Sequence, residues 1–201
     1  IGFNRRFAPH IMKMKELLDS KNSPKSVIIT VHAGSIPSDH WVQDKDIGGG
    51  RIIGEGCHFI DLLCHLIGKN PTNYSATMIG SAPGIDIRED KANIVINFED
   101  GSFGTIHYLA NGGGSFPKER IEVFCDNGVL QLDNYRFLRG YDWKGFNQMR
   151  LFKQDKGQKA CAKAFVDSIK NGHPSPIPYN ELYLSSKIAI DISNSLNQKS
   201  T

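Results

Sequence analysis

Apolar and polar positions change period twice along the chain. Ile11, Met14, Leu17 and Leu18 recur at helical spacing behind Pro9, so Ala8 to Asp19 is predicted as a helix, ended by Asn22, Ser23 and Pro24. Ser26 to Ala33 (SVIITVHA) is rich in β-branched residues and bounded by Pro24 and Gly34, which predicts a strand. A polar loop runs from Gly34 to Gly50, long enough to be functional, and closes on Gly48-Gly49-Gly50. From Gly54 to Ile67 the helical period returns. Phe59, Ile60, Leu63, Leu66 and Ile67 make one face, Glu55, His58, Asp61 and His65 the opposite one, with Leu62 intruding and Gly68 as C-terminal cap.

From Tyr74 to about Phe152 the period drops to two. Ile94, Ile96 and Phe98 alternate with polar or outward residues, Asp100-Gly101 turns the chain, and Phe103 to Ala110 alternates again. A second hairpin runs Ile121 to Cys125, turns at Asn127-Gly128 and returns through Val129 to Leu132, giving six or seven mostly antiparallel strands in all. Ala160, Cys161, Ala164, Phe165, Ser168 and Ile169 then form a helical stripe closed by Gly172. Pro174, Pro176 and Pro178 make a stiff connector, and Asn180 can cap a last helix through Leu182, Ser186, Ala189 and Leu196. The predicted fold is α+β, a large open, mostly antiparallel sheet with helices on one face.

With 201 residues and 39% apolar content the chain can build a real core. Its 24 Lys and Arg against 21 Asp and Glu leave +3, spread without runs, so nucleic acid and anionic membranes are not expected partners. No apolar stretch approaches the roughly 18 residues of a membrane helix. Four irregularly spaced cysteines without a Cys-x-x-Cys pair fit a reducing cytoplasm and no structural zinc. The opening Ile1-Gly2-Phe3 is apolar and lacks Met, as though cut at a buried strand, so an N-terminal partner domain is expected upstream and the function is expected to be split across the cut.

Several chemistries are excluded by spacing. Gly48-x-Gly50 and Gly112-x-Gly114 lack the third glycine of a dinucleotide loop, Glu55-Gly56 stands where a phosphate loop needs Lys and Ser or Thr, and Gly113-Gly114-Ser115-Phe116-Pro117 misses the nucleophile elbow. The polar arc remains. His58 and Asp61 are i, i+3 neighbours, so the carboxylate can set the imidazole tautomer for general acid or base work, and a solvated helix face is the alternative. His58 and His65 lie two turns, about 10.5 Å, apart, too far to share one metal ion.

The run GGGRIIGEGCHFIDLL (Gly48 to Leu63), with the opening GFNRRFAPH, resembles the C-terminal domain of the Gfo/Idh/MocA oxidoreductases, the glucose-fructose oxidoreductase and inositol dehydrogenase family, over nearly all of the chain. It looks closest to a branch in surface-polysaccharide biosynthesis that is sometimes fused to a zinc-alcohol-dehydrogenase-like domain. The resemblance implies an upstream Rossmann domain binding NAD or NADP, with Ile1 to Phe3 its last strand and the catalytic Lys of a Glu-Lys-Pro motif within it. It also implies a sheet that buries a homo-oligomer interface. On it, His58 is catalytic beside the nicotinamide and the substrate hydroxyl, and Asp61 contacts the substrate. Where the family commonly has Asp, four residues before the His, stands Gly54, so Glu55 either supplies that carboxylate from a shifted position or is not needed.

The resemblance places Arg6 near the substrate, with a surface salt bridge as the alternative. Lys118 and Arg120 open a strand that in relatives borders the pocket, or serve as edge-strand gatekeepers. Trp41, with His40, either offers an aromatic platform to a sugar ring or pins the loop. His107 reads as a plain strand residue and the cysteines as small buried apolar ones. The expected function is the C-terminal part of an NAD(P)-dependent dehydrogenase acting on a sugar, cyclitol or nucleotide-sugar hydroxyl, inert alone. The alternatives are a non-catalytic assembly or ligand-binding domain and a metal-assisted hydrolase using His58, Asp61 and His40.

Overall fold

The computed structural model describes residues 2–37, 39–44, 46–80 and 90–198. A 3₁₀ turn, Asn4–Phe7, leads into α1 (Pro9–Asp19), whose Pro9 stands in the first turn, where its missing N–H costs nothing. Strand β1 (Ser26–His32) follows, then the glycine-rich loop, a π-helical turn Ile52–Gly56 and α2 (Cys57–Ile67). Gly68 closes α2 at φ 70°, the left-handed cap its glycine allows. Seven strands come next: β2 (Pro71–Met78), β3 (Lys91–Phe98), β4 (Phe103–Leu109), β5 (Glu119–Cys125), β6 (Gly128–Asp133), β7 (Phe137–Tyr141) and β8 (Gln148–Arg150). Helices α3 (Gln158–Lys170) and α4 (Tyr179–Gln198) end the described chain.

The eight strands form one sheet in the order β2-β3-β4-β1-β5-β6-β7-β8. Every neighbour pair is antiparallel except β1 with β4, because β1 is inserted between strands that arrive later in the chain. The α+β class, the open sheet and both hairpins agree with the sequence pattern. The β5–β6 turn sits one residue earlier than expected. Asp126 and Asn127 take φ 50° and 62°, and Gly128 already belongs to β6.

Alternation sorts the two faces. Val27, Ile29 and Val31 of β1, Ile94 and Ile96 of β3, Ile106 and Tyr108 of β4, and Ile121 and Val123 of β5 are buried under the helices. α2 lies over β1 and β4, flanked by α1 and α4, and α4 also covers β2. At Gly104 of β4, a Cβ would fall 2.3 Å from Leu63 Cδ1, so glycine is what lets α2 come down on the sheet.

Two expectations about helices need correction. Asn180 lies inside the first turn of α4 rather than capping it, because the Pro178 carbonyl accepts from the Glu181 and Leu182 N–H groups and starts the helix earlier. The polar arc of α2 is not a solvated face. Asp61 and Leu62 are both fully buried, since α4 and the 3₁₀ turn close over the side that periodicity alone assigns to water.

Candidate active site

The candidate residues gather at the end of the sheet where β1 and β4 finish and β5 begins. Tyr108 and Glu119 stand opposite Val31 in neighbouring strands and point to the helix side. The loop that delivers Glu55 is shaped by its glycines. A Cβ at Gly48 would lie 2.5 Å from the Trp41 carbonyl oxygen, and Gly49 and Gly50 adopt φ 71° and 85°. Arg51 follows, and the π-helical turn, a feature common at functional sites, carries Glu55 into the protein.

Three charged groups result. In the first, Glu55 accepts from Lys118 Nζ at 2.7 Å, Tyr108 Oη at 2.6 Å and Arg51 Nη2 at 3.0 Å. Burial opposes its charge, yet Lys118, Tyr108 and Arg51 overcome that and hold the carboxyl at about 2. Glu55 therefore carries charge, not protons, at neutral pH. The structure pairs it with Lys118, two residues the sequence singled out separately.

In the second group, Arg5 makes a bidentate pair with Glu119 at 2.9 and 3.0 Å, and Lys156 Nζ adds 2.6 Å to the same carboxylate. Arg5 also stacks on Phe59, 4.3 Å from the ring centre. Burial disfavours the charge on Glu119, but Arg5 and Lys156 outweigh it and lower the carboxyl. The third group is Arg6 with Asp61, bidentate at 2.8 and 2.6 Å, extended by Glu181 of α4 and by Ser185 at 3.4 Å. Burial pushes the Asp61 carboxyl up to about 6, with Arg6 pulling against it.

His58 stands on the first turn of α2 among these groups, half-buried, with the Phe3 ring edge-on at 5.7 Å. Burial, reinforced by the Arg5 guanidinium, lowers its imidazole to about 4, while Glu55 and Glu119 pull weakly the other way. The ring is neutral at pH 7. Its Nδ1 is enclosed and has no hydrogen-bond partner among the described residues. The expected His58–Asp61 contact does not form, because both Asp61 oxygens turn to Arg6, and no carboxylate sets the tautomer.

The remaining expectations fare unevenly. Asp61 is closed off from any ligand in this arrangement, and Arg6 is spent on it and on Glu181, so the pair is placed as an internal strut. Arg6 reaches instead the wall of a cavity of about 540 Å³ at the far end of α2, shared with Lys15, His65 and Lys69. Trp41 is 60% exposed in a short 3₁₀ turn beside His40, at 5.9 Å between rings. Arg120 pairs with Asp133 on the sheet's other face. Of the cysteines only Cys125 is buried; Cys57, Cys64 and Cys161 are half-buried and free. Ile1 lies outside the described residues, and Gly2 and Phe3 form no strand. Phe3 is a core residue, 1% exposed. No three His, Cys, Asp or Glu side chains are grouped to hold a metal among the described residues.

Sequence reading missed Arg5, Glu119, Arg51, Tyr108 and Lys156. The Arg51–Glu55 pair was visible as an i, i+4 spacing. Glu119 was visible only as an acid at an inward position of an alternating strand.

Residues 11–131 match the family model described as the GFO/IDH/MocA C-terminal domain. The chain belongs to that family. An inositol 2-dehydrogenase of Rhizobium meliloti (strain 1021) is 26% identical over 139 residues, 68% of this chain and 42% of that protein. A myo-inositol 2-dehydrogenase of Thermotoga maritima is 22% identical over 186 residues, 88% of this chain and 55% of its own length. The chain thus spans about half the length of these curated relatives. Among solved structures, a UDP-N-acetylglucosamine 3-dehydrogenase from Acidithiobacillus ferrooxidans superposes with TM-score 0.75 at 17% identity, over 98% of this chain and 61% of that one. A levoglucosan dehydrogenase in complex with NADH and levoglucosan gives TM-score 0.77 at 18% identity, over 98% and 64%. The structural likenesses show the same fold over nearly the whole of this chain. No helix among the described residues is long and apolar enough to cross a membrane.

Proposed function

We propose that the chain is the substrate-binding and oligomerising part of an NAD- or NADP-dependent oxidoreductase acting on a hydroxyl of a sugar, cyclitol or nucleotide sugar. The observation that carries this reading is His58, a neutral, half-buried imidazole framed by three ion-pair groups, none of which bonds the ring. The relatives named as inositol dehydrogenases and the NADH complex of the levoglucosan enzyme support it. A dinucleotide-binding domain upstream of Gly2 completes the site, in the cytoplasm, and the exposed face of the sheet serves a homo-oligomer.

The nicotinamide ring, held mainly by that upstream domain, supplies the hydride acceptor when bound. On this chain the fit rests on His58, whose Nδ1 is enclosed and whose Nε2 is the nitrogen left for a substrate hydroxyl. Nε2 takes the hydroxyl proton as hydride leaves the same carbon, and returns it in the reverse direction. Glu55, fixed by three donors, keeps Lys118 and Arg51 beside this position and offers a stationary negative charge to the imidazolium that forms.

In the complete polypeptide His58→Ala lowers kcat by roughly 10² to 10⁴ with dinucleotide affinity unchanged. The pH profile carries its own sign. A base held near 4 stays unprotonated well below the ordinary histidine range, so the acid limb of kcat/KM belongs near pH 4 to 5 rather than 6.5. Wild-type turnover in His58→Ala would instead take His58 out of the proton transfer.

A further inference from the structure

Helix α3 carries an apolar face that no described residue covers. Its inner side, Cys161, Ala164 and Ser168, meets the 3₁₀ turn Asn4–Phe7. Ala162, Phe165, Val166 and Ile169 follow at i, i+3, i+4 and i+7 on the next face, the spacing by which a helix is buried against a neighbour. Phe165 is 55% exposed, Val166 45% and Ile169 66%. Helices α1, α2 and α4 each bury their apolar stripe on the sheet or on one another, and α3 does not.

The helix is nevertheless fixed in place, and by the segment that leads to His58. Gly157, just before α3, packs so tightly on Asn4, Phe7 and Ala8 that a Cβ would lie 2.4 to 2.6 Å from their backbone atoms. Asn4 Nδ2 donates to the Lys156 carbonyl at 2.7 Å, and Cys161 Sγ borders Gly2. One residue on, Phe3 lies against the His58 ring. A segment joined ahead of Gly2 therefore leaves this domain between the α3 stripe and the candidate catalytic histidine. More than a third of each superposed dehydrogenase chain has no counterpart in this one.

We infer that the stripe Ala162, Phe165, Val166 and Ile169 is the docking face for the dinucleotide-binding domain, an inference that rests on the functional reading above. Lys159 and Lys170 stand along one flank of the stripe, where Lys163 is already held by Asp167, so the surface it meets is apolar with an acidic edge on that flank. Docking there spans from α3 to the segment carrying Phe3, and so fixes the second domain relative to His58. The stripe is a positioning surface and touches no reacting atom.

The test uses the polypeptide with its upstream domain, wild type against Phe165→Ser/Ile169→Ser. Both side chains are exposed here, so the variant keeps this domain's core, and far-UV circular dichroism checks it. Fluorescence of bound reduced nicotinamide reports whether the upstream domain holds a dinucleotide. Hydrogen exchange along α3 and limited proteolysis between the domains report docking. In the expected result α3 is protected in the wild type, and the variant binds dinucleotide within about twofold, exchanges α3 amides at least roughly tenfold faster and turns over at least roughly tenfold slower. Equal exchange and equal turnover in the two proteins overturn the docking face and leave the functional reading standing. Absence of dinucleotide binding by the wild type overturns the functional reading and with it the identity of the occupant. Protection that appears only as protein concentration rises assigns the stripe to a second copy and also overturns the inference.

Discussion

Asp61 has no water to fall back on. It is fully buried, both oxygens face Arg6, and Arg6 in turn is 7% exposed and reaches Glu181. Removing one member of such a pair leaves the other desolvated and uncompensated, so Asp61→Asn lowers unfolding free energy by about 3 kcal/mol, read as a fall in the urea midpoint. Arg6→Met/Asp61→Leu, which removes both charges at similar volume, costs much less. A variant Asp61→Asn of unchanged stability but raised KM would show the carboxylate to be a substrate contact. The arc was legible in part: His58, Asp61 and His65 are carried by α2, whereas Glu55 stands on the π-helical turn ahead of it and bonds Tyr108 of the sheet. Its surroundings were not, because the partners of Asp61 come from 55 and 124 positions away, Arg6 on the 3₁₀ turn and Ser185 on α4. Local periodicity reports which side chains share a face and is silent on what covers that face.

At the scale of elements, the sequence specified most of the architecture, since strands with one buried face must alternate and both hairpins carry their own turn residues. What it could not specify was order. β1 precedes α2 in the chain yet lies between β4 and β5, a placement set by long-range pairing. The contact that seats α2 on this sheet is one missing methyl group. Gly104→Ala drives a Cβ within 2.3 Å of Leu63 Cδ1 and 2.7 Å of Cδ2, and Leu63 is fully buried with no room to withdraw. Overpacking of this kind costs about 1 to 3 kcal/mol, seen as a drop in Tm. Because the clash is with a single side chain, Gly104→Ala/Leu63→Ala recovers part of that loss, a non-additivity that a double-mutant cycle measures. Full additivity would mean that the added methyl acts on the β4 backbone rather than through the helix.

At the scale of the whole molecule, the sheet has one face under helices and one bare. The bare face is not uniformly polar. Phe103 of β4 pairs with Ser26 of β1, Ser26 with Phe124 of β5, Phe124 with Val129 of β6, and Val129 with Tyr141 of β7, which puts four apolar residues in a row across five strands, interrupted only by Ser26. Phe103, Phe124 and Tyr141 are 43, 42 and 46% exposed, and Leu109 adds 39%. A row of this kind on open water is costly to leave uncovered and is the feature expected of a face that pairs with a second copy. Arg120, Asp133, Glu122 and Gln131 on the same face bond to one another within the chain, so they add little net charge to oppose a partner. Phe124, at the middle of the row, and Tyr141, at its β7 end, flank β6, and a carboxylate buried at either position is costly. Phe124→Glu/Tyr141→Glu is therefore expected to weaken self-association at least about 100-fold, so that sedimentation at tens of micromolar, in the usual working range, shows a dimer or larger species for the wild type and a monomer for the variant. Because both positions face away from the helices, the variant's circular dichroism and dinucleotide binding should stay as in the wild type. A wild-type chain that sediments as a monomer at that concentration would leave the row without the partner assigned to it.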